Sequence, residues 1–223
     1  MLLSHQAPII LMEISLLTSR LAVEMTTSIT FILTAALAII ITRRYMGKRT
    51  KSLLYWGAGI WIFAAGVLME IFFAAGAYST LLIKAYLFLV ALLVEFLALG
   101  SMQLVKSRKA RIAYASFAWM SSALLVCVLA ASKMGNIITD HIVYGLLPVY
   151  VAISSSIITF PAAIILIAVA VKGYLSRKSN KLLSIISGVV IVSIAGTLYI
   201  AQYPAFLYIA EFVGILALWY GFI

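Results

Sequence analysis

Four ionisable side chains stand inside long apolar stretches of the sequence: Glu70, Lys84, Glu95 and Glu211. An ionisable group in hydrocarbon costs about 2.5–3.5 kcal/mol on insertion scales, so each is a candidate functional residue. Glu70, Lys84 and Glu211, with Glu24 less deep, are expected in one outer layer that converges on a cavity. An excess of carboxylates over cations in such a cavity suits proton coupling or cation binding.

A structural interpretation of the same residues stays open. Lys84 and Glu70 would then form an ion pair between two helices, both close enough to the headgroups for their polar ends to reach water. Glu95 is predicted deeper, on the inner half, and its own apolar segment FLVALLVEFLALG offers no cation. It must therefore be protonated, partnered across the bundle or in contact with water.

Hydroxyl residues form a second candidate group in two apolar segments: Thr27 and Thr30 in one, and Ser155, Ser156 and Thr159 in the other. Facing each other, the two stripes would line a polar path. Ordinary helix packing is the alternative, because Ser and Thr are common small residues between membrane helices.

Pro161 is predicted to interrupt the second of these segments near its middle. A proline inside a helix frees backbone carbonyls, here beside Ser156 and Thr159. Pro161 is therefore a candidate hinge, with a static bend as the alternative.

Several chemistries are excluded by the residues that the sequence contains. His5 and His141, both expected outside the spans, cannot hold a haem or a zinc ion in the membrane. Cys127 is the single cysteine, and CxxC, GxSxG and clustered aspartates are all absent from the sequence. We expect no metal and no cofactor, and an enzyme is the least expected class.

The elements that carry these residues are predicted to be membrane helices. The 223 residues are 65% hydrophobic and only 10% charged, beyond the apolar share of a soluble domain. A span takes about 20 apolar residues, so the length suits seven helices and little else. The predicted helices are approximately 21–42, 52–75, 81–105, 112–132, 143–171, 182–201 and 205–222, after an extracytoplasmic leader over 1–20.

The net charge of +10 is concentrated in three short loops that hold thirteen of the sixteen Lys and Arg. Such loops face the cytoplasm, which places the amino terminus outside, the carboxyl terminus inside and the protein in the cell membrane. Without interleaved aromatics they indicate no nucleic-acid binding. The residues expected to contact anionic lipid headgroups are Arg43, Arg44, Lys48, Arg49, Arg108, Lys109, Arg177 and Lys178.

An internal similarity relates residues 27–54 to residues 156–183 at an offset of 129, with seven identities in 28 pairs. The pairs include Tyr45 with Tyr174 and, in the basic loops, Arg49 with Lys178. The similarity predicts a parallel 3+1+3 repeat: three helices over 21–105, a linking helix over 112–132, and three helices over 143–222. Chance likeness between two units of helix, basic loop and helix is the alternative.

The 3+1+3 topology resembles that of the SWEET sugar transporters and, more remotely, that of the heptahelical opsins. SWEET-like proteins carry a proline in the first helix of each triplet, but Pro161 is matched here by Ile32. The last predicted helix lacks the lysine that binds retinal in opsins. YWGAGIWIFAAGVLMEIF and AFLYIAEFVGILALWYGF resemble uncharacterised heptahelical membrane proteins of prokaryotes, a resemblance that implies no activity.

The sequence therefore predicts an all-α membrane protein that acts as a transporter or channel-like protein. Its substrate would be a small solute or a cation, coupled to protons through the intramembrane glutamates. The alternative is a non-catalytic integral subunit or sensor of a larger membrane complex. Homo-oligomers or other membrane proteins are the expected partners.

Overall fold

The computed structural model describes residues 20–77, 79–135, 138–139, 142–143, 147–178, 180–200 and 204–223. These residues form seven α-helices and one short antiparallel pair of strands, β1 (Ile138–Thr139) and β2 (Ile142–Val143). The predicted leader over 1–20 lies outside the described residues except for Arg20. The helices are α1 (Arg20–Lys48), α2 (Lys51–Ala74), α3 (Thr80–Met102), α4 (Arg108–Ala131), α5 (Val149–Arg177), α6 (Asn180–Ile200) and α7 (Pro204–Phe222).

Two helices run further than the sequence indicated, into the basic segments that were predicted to be loops. The first continues to Lys48 and the fifth to Arg177, so most of these basic residues are helical. Each helix ends at a residue with left-handed backbone, Arg49 with φ 48° and Lys178 with φ 47°. A lysine or arginine side chain reaches water from a helix, so charge alone does not end one.

The turn between α2 and α3 is fixed by hydrogen bonds at both helix ends. Gly76 has φ 85°, and the Gly76 and Ala77 amides donate to the carbonyls of Phe73 and Phe72, each at 2.9 Å. This is a Schellman motif, which needs a residue that tolerates left-handed backbone. The Ser79 hydroxyl then accepts a hydrogen bond from the Leu82 amide and caps α3.

Six of the helices pack side by side in a closed ring. Each helix of the series α1, α2, α3, α5, α6 and α7 contacts the next, and α7 contacts α1. Hydrogen bonds support the closure, because Trp219 Nε1 on α7 donates to the Leu33 carbonyl of α1 at 2.8 Å and the Arg44 guanidinium donates to the Phe222 carbonyl. Helix α4 packs outside the ring against α3 and α5.

Glycines allow close approach at two helix contacts of the ring. A Cβ on Gly59 of α2 would lie 3.1 Å from the Leu97 side chain of α3. Between α6 and α7, a Cβ on Gly188 would lie 2.9 Å from both the Gly214 carbonyl oxygen and the Leu218 side chain. Small residues at such crossings let helix backbones approach within a membrane.

Five helices, α1 to α5, have apolar segments long enough to cross a membrane. Shorter apolar stretches lie in the last two, Leu183–Val192 in α6 and Leu207–Phe222 in α7. The prediction of an α-helical membrane protein is therefore confirmed, and within the described part of the chain the structure supports five of the seven predicted spans. The pair of two-residue strands had no signal in the sequence.

Candidate functional site

A cavity of about 260 Å³ lies within the ring, lined by residues of α2, α3, α5, α6 and α7 and by Leu147. Most of its lining is apolar and includes Phe63, Val67, Leu87 and Phe160. The polar side chains that reach it are Glu70, Tyr86, Ser155, Ser156, Thr159 and Glu211. An apolar cavity with a few convergent polar groups is the usual form of a small-molecule site.

Glu70, Tyr86 and Glu211 form a buried polar cluster at this cavity, here called the acidic cluster. The Tyr86 hydroxyl donates to Glu70 Oε1 at 2.6 Å, and the carboxyl groups of Glu70 and Glu211 lie within hydrogen-bonding reach of each other. Only 2% of Glu70 and 7% of Glu211 is exposed. Two carboxyl groups can hydrogen-bond to each other only when one proton lies between them, because a carboxylate has no donor.

The second oxygen of Glu70 is the least satisfied atom of the acidic cluster. Oε2 is buried, and no hydroxyl, amide or cation of the described side chains donates to it. A buried oxygen without a donor loses its hydration, which costs free energy. A shared proton or a cation between the two carboxyl groups would satisfy it.

The helix ends determine where the three side chains meet. The Schellman motif ends α2 four residues after Glu70, and the Ser79 cap starts α3 shortly before Tyr86. Pro204 is the first residue of α7, seven residues before Glu211. At 1.5 Å per residue, all three lie about 6–11 Å from the end of the bundle opposite the basic segments.

The cavity is polar at one end and apolar at the other. Ser155, Ser156 and Thr159 lie in the second and third turns of α5, on the same side as the acidic cluster. Towards the basic end the lining residues are apolar, among them Ile62 and Val94. A molecule with a polar head and an apolar body would match this gradient.

Lys84 neither joins Glu70 and Glu211 at the cavity nor forms the alternative ion pair with Glu70, so both predictions for it are wrong. Lys84 Nζ donates to the Ala130 carbonyl of α4 at 3.2 Å, and Lys84 is absent from the cavity lining. Lys84 precedes Tyr86 by two residues, and residues two apart on a helix point in different directions. Tyr86 therefore faces Glu70 while Lys84 faces the outer helix.

Glu95 also lies away from the cavity, contrary to its predicted place below the acidic cluster. Its carboxylate is 1% exposed and accepts hydrogen bonds from two serines of α4, Ser121 at 3.2 Å and Ser122. Of the three possibilities left open by the sequence, a partner across the bundle is the one observed. This polar contact joins α4 to the ring.

The two hydroxyl stripes do not face each other across the cavity. Ser155, Ser156 and Thr159 line it, whereas Thr27 and Thr30 of α1 are buried elsewhere. The Thr27 hydroxyl donates to the Val23 carbonyl of its own helix at 2.7 Å, and Thr30 Oγ1 has no partner among the described groups.

Pro161 does not interrupt α5, which continues through it as one helix. It lines an apolar groove against Phe117 of α4, on the outer side of the ring. Because the preceding turn can absorb a proline as a bend, the helix need not break. Pro161, the candidate hinge, thus lies within an unbroken α5, at a groove that α5 shares with α4.

The basic residues predicted to contact lipid are mostly exposed, as that role requires. Arg43, Lys48, Arg49, Arg108, Lys109 and Lys178 are open to the surroundings, and so is Arg44, whose guanidinium also bonds to the Phe222 carbonyl. The side chain of Arg177 lies outside the described part of the chain. Glu24 is half-buried near the start of α1.

Sequence reasoning missed Tyr86 at the site, and it assigned no role to Ser121 and Ser122, the partners of Glu95. A hydroxyl-bearing residue within a span next to an unexplained glutamate is a usable signal, because buried carboxylates need donors. The sequence did not show which side of each helix faces the cavity.

Comparison of the chain with protein-family models, with curated proteins and with solved structures finds no match.

Proposed function

We propose that the protein is a multi-pass transporter of a small solute or cation, coupled to protons through Glu70 and Glu211. The observation that carries this proposal is the meeting of two buried carboxyl groups at an apolar cavity lined by five of the seven described helices. Even with one proton between them, a purely structural pair of acids would leave one negative charge buried with no cation among the described lining residues, which is unfavourable. A binding site that exchanges a proton for a cargo accounts for both acids.

The proposal includes seven spans arranged as a parallel 3+1+3 repeat. The contacts between neighbouring ring helices support it. The contacts of α1 with α2, α2 with α3 and α3 with α5 correspond to those of α5 with α6, α6 with α7 and α7 with α1. Gly59 touches Leu97 as Gly188 touches Leu218, and the first residue of each pair matches at the offset of 129. Parallel triplets of this kind place a substrate site at their interface.

The proposed orientation has the basic end in the cytoplasm of a cell membrane and the acidic cluster near the outer surface. The exposed basic side chains at one end of α1, α4 and α5 support it, by the positive-inside bias. Anionic lipid headgroups are the partners proposed for these side chains. Transport would need one triplet to rock against the other around the cavity.

The test is solute-driven proton movement in vesicles that contain the purified protein. A pH gradient is imposed, and K⁺, Na⁺, a primary and a quaternary alkylammonium ion, a sugar and a neutral amino acid are added one at a time, with the response of protein-free vesicles subtracted. We expect at least one solute to dissipate the gradient with the wild-type protein and with Glu95→Gln, a buried acid outside the cavity. The double variant E70Q/E211Q should be inactive.

A response that persists unchanged in E70Q/E211Q would overturn the assignment of the acidic cluster. The absence of any response with a broad panel would overturn transport itself. The remaining hypothesis is then an integral subunit or sensor of a larger membrane complex. In that case, native electrophoresis of gently extracted membranes should show the protein only within a larger assembly.

A further inference from the structure

We infer that the cargo is a small amphipathic organic cation, a primary ammonium with an apolar body, that exchanges for one proton at Glu70 and Glu211. This inference rests on the proposed function and adds the class of substrate. It comes from three properties of the cavity: the charge at its polar end, the apolar character of its deeper part, and its size.

The charge at the polar end selects a cation. None of the described residues that line the cavity is a lysine, arginine or histidine, whereas two are glutamates. The other titratable groups near the pair are Tyr86 on α3 and Tyr208 on α7, and both are buried. An ammonium group has three N–H donors, which can satisfy Glu70 Oε2 and the carboxyl of Glu211 together.

The lining disfavours an inorganic divalent ion and a sugar. Among the described residues, no group of three metal-ligating side chains comes together, and two carboxyl groups alone are a poor site for such an ion. A sugar needs many hydrogen-bonding partners, but most of this lining consists of side chains such as Phe63, Leu87 and Phe160. An apolar body can bury itself there while its charged head stays at the acidic cluster.

The size limits the cargo to a small molecule. A volume of about 260 Å³ equals that of about nine water molecules at about 30 Å³ each. Benzylammonium, with eight non-hydrogen atoms, is of this size.

The exchange balances in charge and in protons. In the empty site one proton bridges the two carboxyl groups, so the pair carries one negative charge. When an ammonium ion binds, the bridging proton leaves, and two carboxylates and one cation again give one negative charge. An exchange without a change in buried charge avoids the cost of moving net charge into low dielectric.

The experiment is calorimetric titration of the detergent-purified protein with benzylammonium chloride, in two buffers with different ionisation enthalpies. The difference between the buffers gives the number of protons released. Benzyl alcohol, of the same size but neutral, is the matched ligand, and KCl is the inorganic cation. We expect about one proton released per benzylammonium, and binding at least tenfold tighter than that of benzyl alcohol.

The matched variants are Glu95→Gln, which should release the proton like the wild type, and E70Q/E211Q, which should release none and lose the preference for the charged ligand. Two results with the wild-type protein would each overturn the inference. One is that benzyl alcohol binds as tightly as benzylammonium, and the other is that KCl releases as many protons as benzylammonium does. A different result would separate this inference from the proposed function. If K⁺ or Na⁺ drives proton movement in vesicles through the two glutamates but benzylammonium does not bind, the proposed function holds and the amphipathic ammonium is ruled out as the substrate.

Discussion

Arg49 and Lys178 end their helices with the same backbone geometry, although 129 positions separate them. Both have left-handed φ, 48° and 47°, and each donates its amide hydrogen to a tyrosine carbonyl four residues earlier, Tyr45 or Tyr174, at 2.6 Å. Left-handed backbone is unfavourable for residues other than glycine and asparagine. The two helix ends therefore share their geometry at positions paired by the internal similarity at the offset of 129.

A first prediction concerns these two helix ends. Valine tolerates left-handed backbone poorly and asparagine tolerates it well, so Arg49→Val and Lys178→Val should each lower the free energy of unfolding by about 1–2 kcal/mol relative to the asparagine variants. Thermal unfolding in detergent, followed by tryptophan fluorescence, measures the difference. Unequal effects at the two sites would argue against equivalent helix ends.

Tyr86→Phe removes the 2.6 Å hydrogen bond to Glu70 but keeps the ring, which packs edge-on against Phe73 with centroids 5.5 Å apart. Because the carboxyl group loses its donor, we expect the free energy of unfolding to fall by about 1–3 kcal/mol. Proton exchange should slow by about tenfold, measured in vesicles. Tyr220→Phe, at an exposed position of α7, is the control and should change neither quantity.

The serines that face Glu95 should matter for stability and not for transport. The double variant S121A/S122A leaves a buried carboxylate without hydroxyl donors, which costs about 1–3 kcal/mol or more for a charged group. Ser154→Ala is the control, since its buried hydroxyl bonds only within α5. Lost transport at unchanged stability would instead assign Glu95 to the path.

Gly221→Ala should destabilise the contact between α6 and α7. Its added Cβ would lie 2.9 Å from the Lys181 carbonyl oxygen and would overlap the Ile185 side chain, so the backbones must separate. We expect a loss of about 1–3 kcal/mol in the free energy of unfolding. Gly47→Ala has open space around its Cβ and should gain about 0.5–1 kcal/mol from helix propensity. Equal melting temperatures would contradict the packing.

Single cysteines can determine the orientation once the exposed Cys127 is replaced by serine. A cysteine at Lys109 or Lys178 should react with a membrane-impermeant maleimide only after the cells are opened. A cysteine at Ala77, in the exposed turn after α2, should react in intact cells. The reverse pattern would invert the proposed topology and place the acidic cluster on the cytoplasmic side.

Hydropathy predicted the helices well, because the apolar length of each segment is a local property. The ends of α1 and α5 were misplaced, since Arg43 to Lys48 stay helical while their charges reach water. Residue contacts were harder to predict than helices. When a helix is apolar on all sides, its sequence does not show which side faces its neighbours. Glu70 and Glu211 were expected together and meet, whereas Lys84 and Glu95 turn towards α4.

The position of α4 outside the ring bears on how such a chain could evolve. Three helices begin and end on opposite sides of a membrane, so two fused copies of a triplet need one extra crossing to keep the same orientation. Because α4 takes no part in closing the ring, two separate three-helix chains inserted in the same direction could form the same ring without it. In the proposed repeat, a homodimer of three-helix chains would therefore enclose a cavity of this kind without a linking helix.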